Sequence, residues 1–176
     1  MNQFKEMYLV RNAHPEEYDE IGKLMVNVFS DLEGFPKPEE QPKYYELLKN
    51  IGRVTQNPGS ELLVAVSADN IIAGTVVFIG DMKYYGQAGK ASEEKNAAGF
   101  RLLAVDNKTR GNGIGKLLTG ACIEKARQQH AQQVIIHSTE YMQRAWKMYE
   151  SMGFKRSADL DFMQGDLPVL GFRLKF

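Results

Sequence analysis

Leu102-Leu103-Ala104-Val105-Asp106-Asn107-Lys108-Thr109-Arg110-Gly111-Asn112-Gly113-Ile114-Gly115-Lys116 is the stretch that decides how this chain is read. An apolar strand runs into a polar turn, and the turn becomes a helix through three glycines at alternate positions. The first turn of a helix carries backbone N–H groups without internal partners. Glycine lets a ligand approach them closely, and the helix dipole adds partial positive charge there. Arg110 and Lys116 add full positive charge. Such a turn suits a phosphate or pyrophosphate. The competing explanation is that the glycines only allow tight packing of helix on strand.

Two common phosphate motifs do not fit. A P-loop needs Gly, four residues, then Gly-Lys and Ser or Thr. Counting back from Gly115-Lys116 puts its first glycine at Arg110, and Leu117 follows the lysine. The dinucleotide fingerprint Gly-x-Gly-x-x-Gly, counted from Gly111 and Gly113, puts its third glycine at Lys116.

Outward from the turn, helix and strand signals alternate. Met7–Val10 reads as a first strand, and Pro15 with Glu16 and Glu17 as a helix start. Tyr18, Ile21, Met25, Val28 and Phe29 keep helical spacing. Residues 31–42 hold Gly34, Pro36, Pro38 and Pro42 and read as a loop, with a short helix at residues 44–51. The β-branched runs at residues 61–66 and 71–79, separated by Asp69-Asn70, predict a hairpin. Residues 80–99 are polar and read as a long mobile loop carrying Tyr84 and Tyr85. A strand at residues 100–105, a helix from Asn112 with the stripe Ile114, Leu117, Leu118, Ala121 and Cys122, and a strand at residues 134–137 follow. A helix at residues 143–152 stops at Gly153, and Phe154 and residues 169–176 supply closing strands. The order predicts one α/β domain over residues 1–176 with a central mixed sheet.

Composition narrows the partners. Lys+Arg and Asp+Glu are 22 each, giving a formal net charge of zero. Nucleic acid is therefore not the expected main partner, since phosphate binding needs a basic excess. No run approaches the ~20 apolar residues of a membrane span, and residues 1–12 lack a leader's apolar run. Cys122 is the single cysteine, so no intramolecular disulfide can form, which fits a reducing, cytoplasmic setting. His14 and His130 have no clustered partners at metal spacing, so no metal site is expected.

Arg110, Gly113 and Gly115 match the pattern Arg/Gln-x-x-Gly-x-Gly/Ala and resemble motif A of the GCN5-related N-acetyltransferase (GNAT) family. Ala145-Trp146-Lys147-Met148-Tyr149-Glu150-Ser151-Met152-Gly153-Phe154 is similar to that family's Ala-x-x-x-Tyr-x-x-x-Gly-Phe segment. Leu103-Ala104-Val105 looks like its cofactor strand, and the order of elements matches over nearly the whole chain. The resemblance implies a mostly antiparallel sheet flanked by helices, splayed at the strand pair around Leu103–Val105 and Val134–Ser138. It implies an enzyme that moves the acetyl group of acetyl-CoA to a primary amine by direct transfer in a ternary complex. The cofactor residues would be Leu103, Ala104, Val105, Arg110, Gly111, Asn112, Gly113, Ile114, Gly115 and Lys116. The turn would wrap the pyrophosphate, Leu103 and Val105 would pair with the pantetheine arm, and an N–H near Ala104 or Val105 would face the thioester oxygen.

By the same resemblance Tyr149 is the catalytic acid, because a phenol with a pKa near ~10 keeps its proton at neutral pH and can share it with a departing thiolate. Its alternative is a core aromatic beside Met142, Ala145 and Trp146. Two positions depart from the family. Met142 stands where many relatives carry an Asn that touches pantetheine, leaving Thr139 or Gln143 as substitutes. Phe100-Arg101-Leu102 offers no general base; Glu33, His137 and Glu140 are the candidates, each read as structural or solvated before catalytic, and no base is needed if the amine is already partly neutral. The resemblance puts the acceptor beside residues 31–41 and 81–99, where Phe35, Tyr84 and Tyr85 neighbour Asp31, Glu33, Glu93 and Glu94, a mix that suits a cationic amine. The expected partners are a small-molecule amine first, a peptide or protein amine second, and at most a second copy of the chain in a homodimer. Acyl-CoA binding without transfer is the alternative from another class.

Overall fold

β1 (Tyr8–Asn12), α1 (Tyr18–Ser30), α2 (Pro42–Lys49), β2 (Ser60–Ser67), β3 (Ile72–Ile79), β4 (Ala97–Val105), α3 (Ile114–Gln128), β5 (Gln133–Ser138), α4 (Gln143–Ser151), β6 (Lys155–Arg156), β7 (Phe162–Gln164) and β8 (Leu167–Lys175) follow in chain order. They are seen in a computed structural model that describes residues 7–86 and 89–176. The strands form one sheet in the order β1-β2-β3-β4-β5-β8-β6, with β7 on β8. The contact between β4 and β5 is parallel and every other pairing is antiparallel. This is the mixed sheet that the element order predicts, and it is mostly antiparallel and flanked by helices, as the resemblance implies.

The β-branched hairpin becomes the middle of the sheet. Every residue of β3 is buried, which is why its pattern is continuously apolar rather than alternating. One face is covered by α1 and α2 through Ile21, Met25 and Leu48. The other is covered by α3, whose Ile114, Leu118 and Cys122 recur one turn apart on the buried side. The N-terminal strand ends at Asn12, two residues later than expected, because Arg11 and Asn12 pair with Val64 and Leu63 of β2.

Two irregularities in β4 shape the site. First, β4 and β5 pair over Ala97–Gly99 and Gln133–Ile135 and then part. Meanwhile β4 stays paired to β3 as far as Val105, and β5 to β8 as far as Ser138. The result is the predicted splay, a slot in the middle of the sheet. Second, Val77 faces Arg101 while Thr75 faces Ala104, so β4 carries one extra residue, and Leu102 adopts φ of 59°. A bulge of this kind resets the alternation of faces. Phe100 packs with the α3 cluster, Leu102 with the α1/α2 cluster, and Leu103 and Val105 again with the α3 cluster. Without the extra residue Leu103 and Val105 would lie on the face opposite the glycine turn.

The polar segment read as a mobile loop is instead tied down. Short helical turns span Met82–Tyr84 and Ala91–Glu93, the strand begins at Ala97, and Met82, Tyr85 and Ala91 are core residues. Three apolar anchors spaced through a polar stretch have no period, so composition outweighed them. Tyr85 can lie across β4 because Gly99 has no side chain; a Cβ there would stand 2.7 Å from its ring. Gln87 and Ala88 of that segment, and residues 1–6 of the N-terminal stretch, lie outside the described residues.

Candidate active site

Gly111 and Gly113 adopt φ of 86° and 76°, and a Cβ built on either would meet no protein atom within 4 Å. A packing glycine has a neighbour where its Cβ would be; these two face open space. The positive φ at Gly113 is what lets the chain enter α3 directly. The first bond of the helix ladder runs from the Leu117 N–H to the Gly113 carbonyl, 3.0 Å, so the amides before it are free to bind a ligand. The Asn112 Nδ2 donates to the Thr109 carbonyl at 3.0 Å and braces the turn from behind. These features fit a pyrophosphate.

The turn forms one end of a cavity of about 760 Å³. Of the ten sequence-predicted cofactor residues, Ala104 and Asn112 do not line it; the other eight do. Ala104 is buried against the α1/α2 cluster instead. Arg144 at the start of α4 joins Arg110 and Lys116 as an exposed cation on the wall. Sequence reading missed it, since nothing along the chain links it to the turn. From there the cavity passes between β4 and β5 and opens beside Phe29, Phe35 and Tyr44 on the α1/α2 side.

The slot itself is lined by Ser138, Thr139 and Tyr149. The hydroxyls of Ser138 and Thr139 are buried and have no hydrogen-bond partner among the described residues. Buried polar groups are normally paired, so these two are donors in waiting. Thr139 was a sequence candidate and Ser138 was not. Tyr149 is 5% exposed, edge-on to Phe100 at 5.9 Å and to Phe154 at 5.8 Å. Burial pushes its hydroxyl pKa up, so it is a phenol, not a phenolate, at neutral pH.

The three base candidates fall differently. Glu33 and Glu140 are exposed and do not line the cavity. His137 does, but both ring nitrogens are engaged: Nε2 lies 2.8 Å from the Leu160 carbonyl and Nδ1 2.8 Å from the Tyr85 hydroxyl. A carbonyl only accepts, so Nε2 carries the proton and Nδ1 accepts from Tyr85. Burial lowers its pKa and keeps it neutral. The expected acidic rim is also absent: no Asp or Glu lines the cavity among the described residues. Glu94 is turned away into an ion pair with Arg173 at 2.8 Å. Phe35 and Tyr85 are on the wall, whereas Tyr84 is not.

No group of three or more His, Cys, Asp or Glu side chains that could hold a metal occurs among the described residues. Cys122 lies on the buried face of α3, where desolvation raises its thiol pKa. No helix among the described residues is long and apolar enough to cross a membrane.

A glycine-cradled helix start at one mouth of a slot in a splayed mixed sheet is the layout of the acetyltransferases of the GNAT type, and the sequence comparison agrees. The acetyltransferase (GNAT) family profile matches residues 25–154, and the chain belongs to that family. N-acetylaspartate synthetase of Xenopus tropicalis is 35% identical over 100 residues, 57% of this chain and 32% of the relative. The Homo sapiens protein of the same name is 33% identical over 104 residues, 59% of this chain and 30% of the relative. The chain thus spans about a third of the length of these curated relatives. A GCN5-related N-acetyltransferase from Kribbella flavida superposes with a TM-score of 0.71 at 18% identity, covering 98% of this chain and 99% of that one, and shares the fold.

Proposed function

We propose that this chain transfers the acetyl group of acetyl-CoA to the primary amine of a small molecule, both substrates being bound at once. The observation that carries this is one continuous cavity: a phosphate-suited turn at one end, an aromatic chamber at the other, and a slot with unpaired donors between them. Acetyl-CoA brings an acetyl group already activated as a thioester. The turn from Arg110 to Lys116, with Arg144, holds its pyrophosphate. Leu103 and Val105 flank the pantetheine arm. Backbone amides of β4 past Gly99, which β5 no longer pairs, offer hydrogen bonds to a carbonyl oxygen as negative charge grows on it.

Tyr149 holds a proton for the departing sulfur. The amine nitrogen forms the new bond to the acetyl carbon, the carbon–sulfur bond breaks with its electron pair going to sulfur, and the tyrosine proton goes to that sulfur. The amine's own proton leaves to solvent, no side chain is assigned as its base, and Tyr149 regains a proton from solvent before the next turnover. A small acceptor is supported by the chamber, which is walled by α1 and α2 residues such as Val28, Leu32 and Tyr44. The relatives named N-acetylaspartate synthetase carry a small product in their name. Following thiol release from acetyl-CoA across a panel of amines tests the proposal. Release that depends on a small amine is expected; no release above hydrolysis with any amine would refute it.

A further inference from the structure

We infer that the acceptor amine also carries a carboxylate, and that the guanidinium of Arg101 on the α1/α2 side of the slot binds it. The inference deepens the transfer reading above and rests on it. Arg101 is a half-buried residue of β4 that lines the cavity. Its Nη1 donates to the Tyr85 carbonyl at 2.7 Å, and its guanidinium carbon stands 5.7 Å from the centre of the Tyr85 ring. A guanidinium has several further N–H donors in a planar fork. None meets a carboxylate: the ion pairs among the described residues involve Arg11, His14, Lys125, Arg156 and Arg173, never Arg101.

The contrast with the other half-buried arginines is chemical. Arg11 has Glu17 at 2.7 Å, and Arg173 has both Glu94 and Asp159. Removing a cation from water without a counter-ion is costly, and this fold supplies counter-ions elsewhere. At Arg101 it supplies a cavity without any Asp or Glu on its wall among the described residues. A substrate carboxylate fits the fork in two-point fashion.

The bulge separates this cation from the phosphate cradle. Arg101 contacts Tyr85 of the α1/α2 cluster, whereas Leu103, beyond the bulge, packs with the α3 cluster. Its positive charge opposes the effect of burial on the hydroxyls of Tyr44 and Tyr85. The same charge disfavours acceptors with a second positive charge. The chamber therefore selects an amino acid in the broad sense over a polyamine.

The test pairs L-alanine, L-aspartate and β-alanine with their amides, and adds a diamine, in the thiol-release assay with wild type, Arg101→Met and Arg101→Lys. Hydrogen bonds to a charged group predict that the wild type favours the acids about 10- to 100-fold in kcat/KM. Arg101→Met should lose that preference through KM, with acetyl-CoA affinity unchanged. Arg101→Lys, which keeps the charge and the reach to the Tyr85 carbonyl, should retain part of it. Calorimetry with N-acetyl-β-alanine and N-acetyl-β-alaninamide reads the same site without turnover, and on wild type alone it stays decisive if a variant folds poorly. Equal rates for acids and amides, or equal binding of the two acetylated probes, would overturn the inference while leaving transfer intact. Tight binding of N-acetyl-β-alanine without thiol release from any amine would uphold the carboxylate site and refute transfer.

Discussion

The hydroxyl of Tyr85 donates to Nδ1 of His137 across 2.8 Å, closing a chain that runs from the Leu160 carbonyl through the imidazole to the wall of the cavity. His137 is thereby a brace between β5 and the segment before β4, not a free base. Its pKa is lowered by burial, so the unfolded state takes up a proton more readily than the folded one. The stability it contributes is whole above the unfolded pKa of about 6.5 and is lost as pH falls through the lower folded value. Glutamine can make both hydrogen bonds without titrating. Melting temperatures measured from neutral to mildly acid pH should fall more steeply for wild type than for His137→Gln. Parallel slopes would mean that His137 is not buried neutral.

Tyr149→Phe keeps the ring that packs on Phe100 and Phe154 and removes only the hydroxyl. As a proton donor to the leaving sulfur, that hydroxyl is worth about 100-fold or more in kcat, with KM for acetyl-CoA nearly unchanged. The melting temperature should barely move. Turnover within about threefold of wild type at saturating amine would remove Tyr149 from the mechanism and leave it a core aromatic.

Leu102 tests the bulge. In an ordinary strand glycine is less stable than alanine by roughly 0.5–1 kcal/mol. At φ of 59° the order should reverse, since an L residue pays about 1–2 kcal/mol for that conformation and glycine does not. Chemical denaturation should therefore find Leu102→Gly at least as stable as Leu102→Ala. Alanine the more stable of the two would mean that β4 runs through without a bulge.

The order of elements along the chain and the buried faces of the helices could be read from the sequence because they rest on period: β-branched runs for β2 and β3, and one-turn spacing for Ile21, Met25, Ile114 and Leu118. The glycine turn was readable because a helix start with positive φ and open space beside it favours glycine at Gly111 and Gly113. The rest depends on contacts distant along the chain. Arg144 meets the turn only once α4 is docked. Tyr85 is buried against Gly99 of β4 and His137 of β5, both distant along the chain. The lack of a carboxylate beside Arg101 can be seen only when Glu94 is found on Arg173. The bulge at Leu102 has no residue signature, since leucine is a poor choice for positive φ and is held there by the pairing of β3 on either side.

The most direct measurement is a calorimetric titration of acetyl-CoA into the wild-type chain and into Gly115→Val. Gly115 lies in the first turn of α3, where an added Cβ would stand 3.4 Å from the Met148 sulfur and 3.8 Å from the Met148 methyl and the Leu103 Cδ2, ordinary contact distances, so the fold should tolerate the change. The added methyls instead fill the space next to the free amides. Wild type should bind with micromolar affinity or better, about −8 kcal/mol, and the variant should melt normally yet bind at least tenfold more weakly. No heat of binding to the wild type, or equal affinity in a folded Gly115→Val, would contradict the placement of the cofactor on this turn.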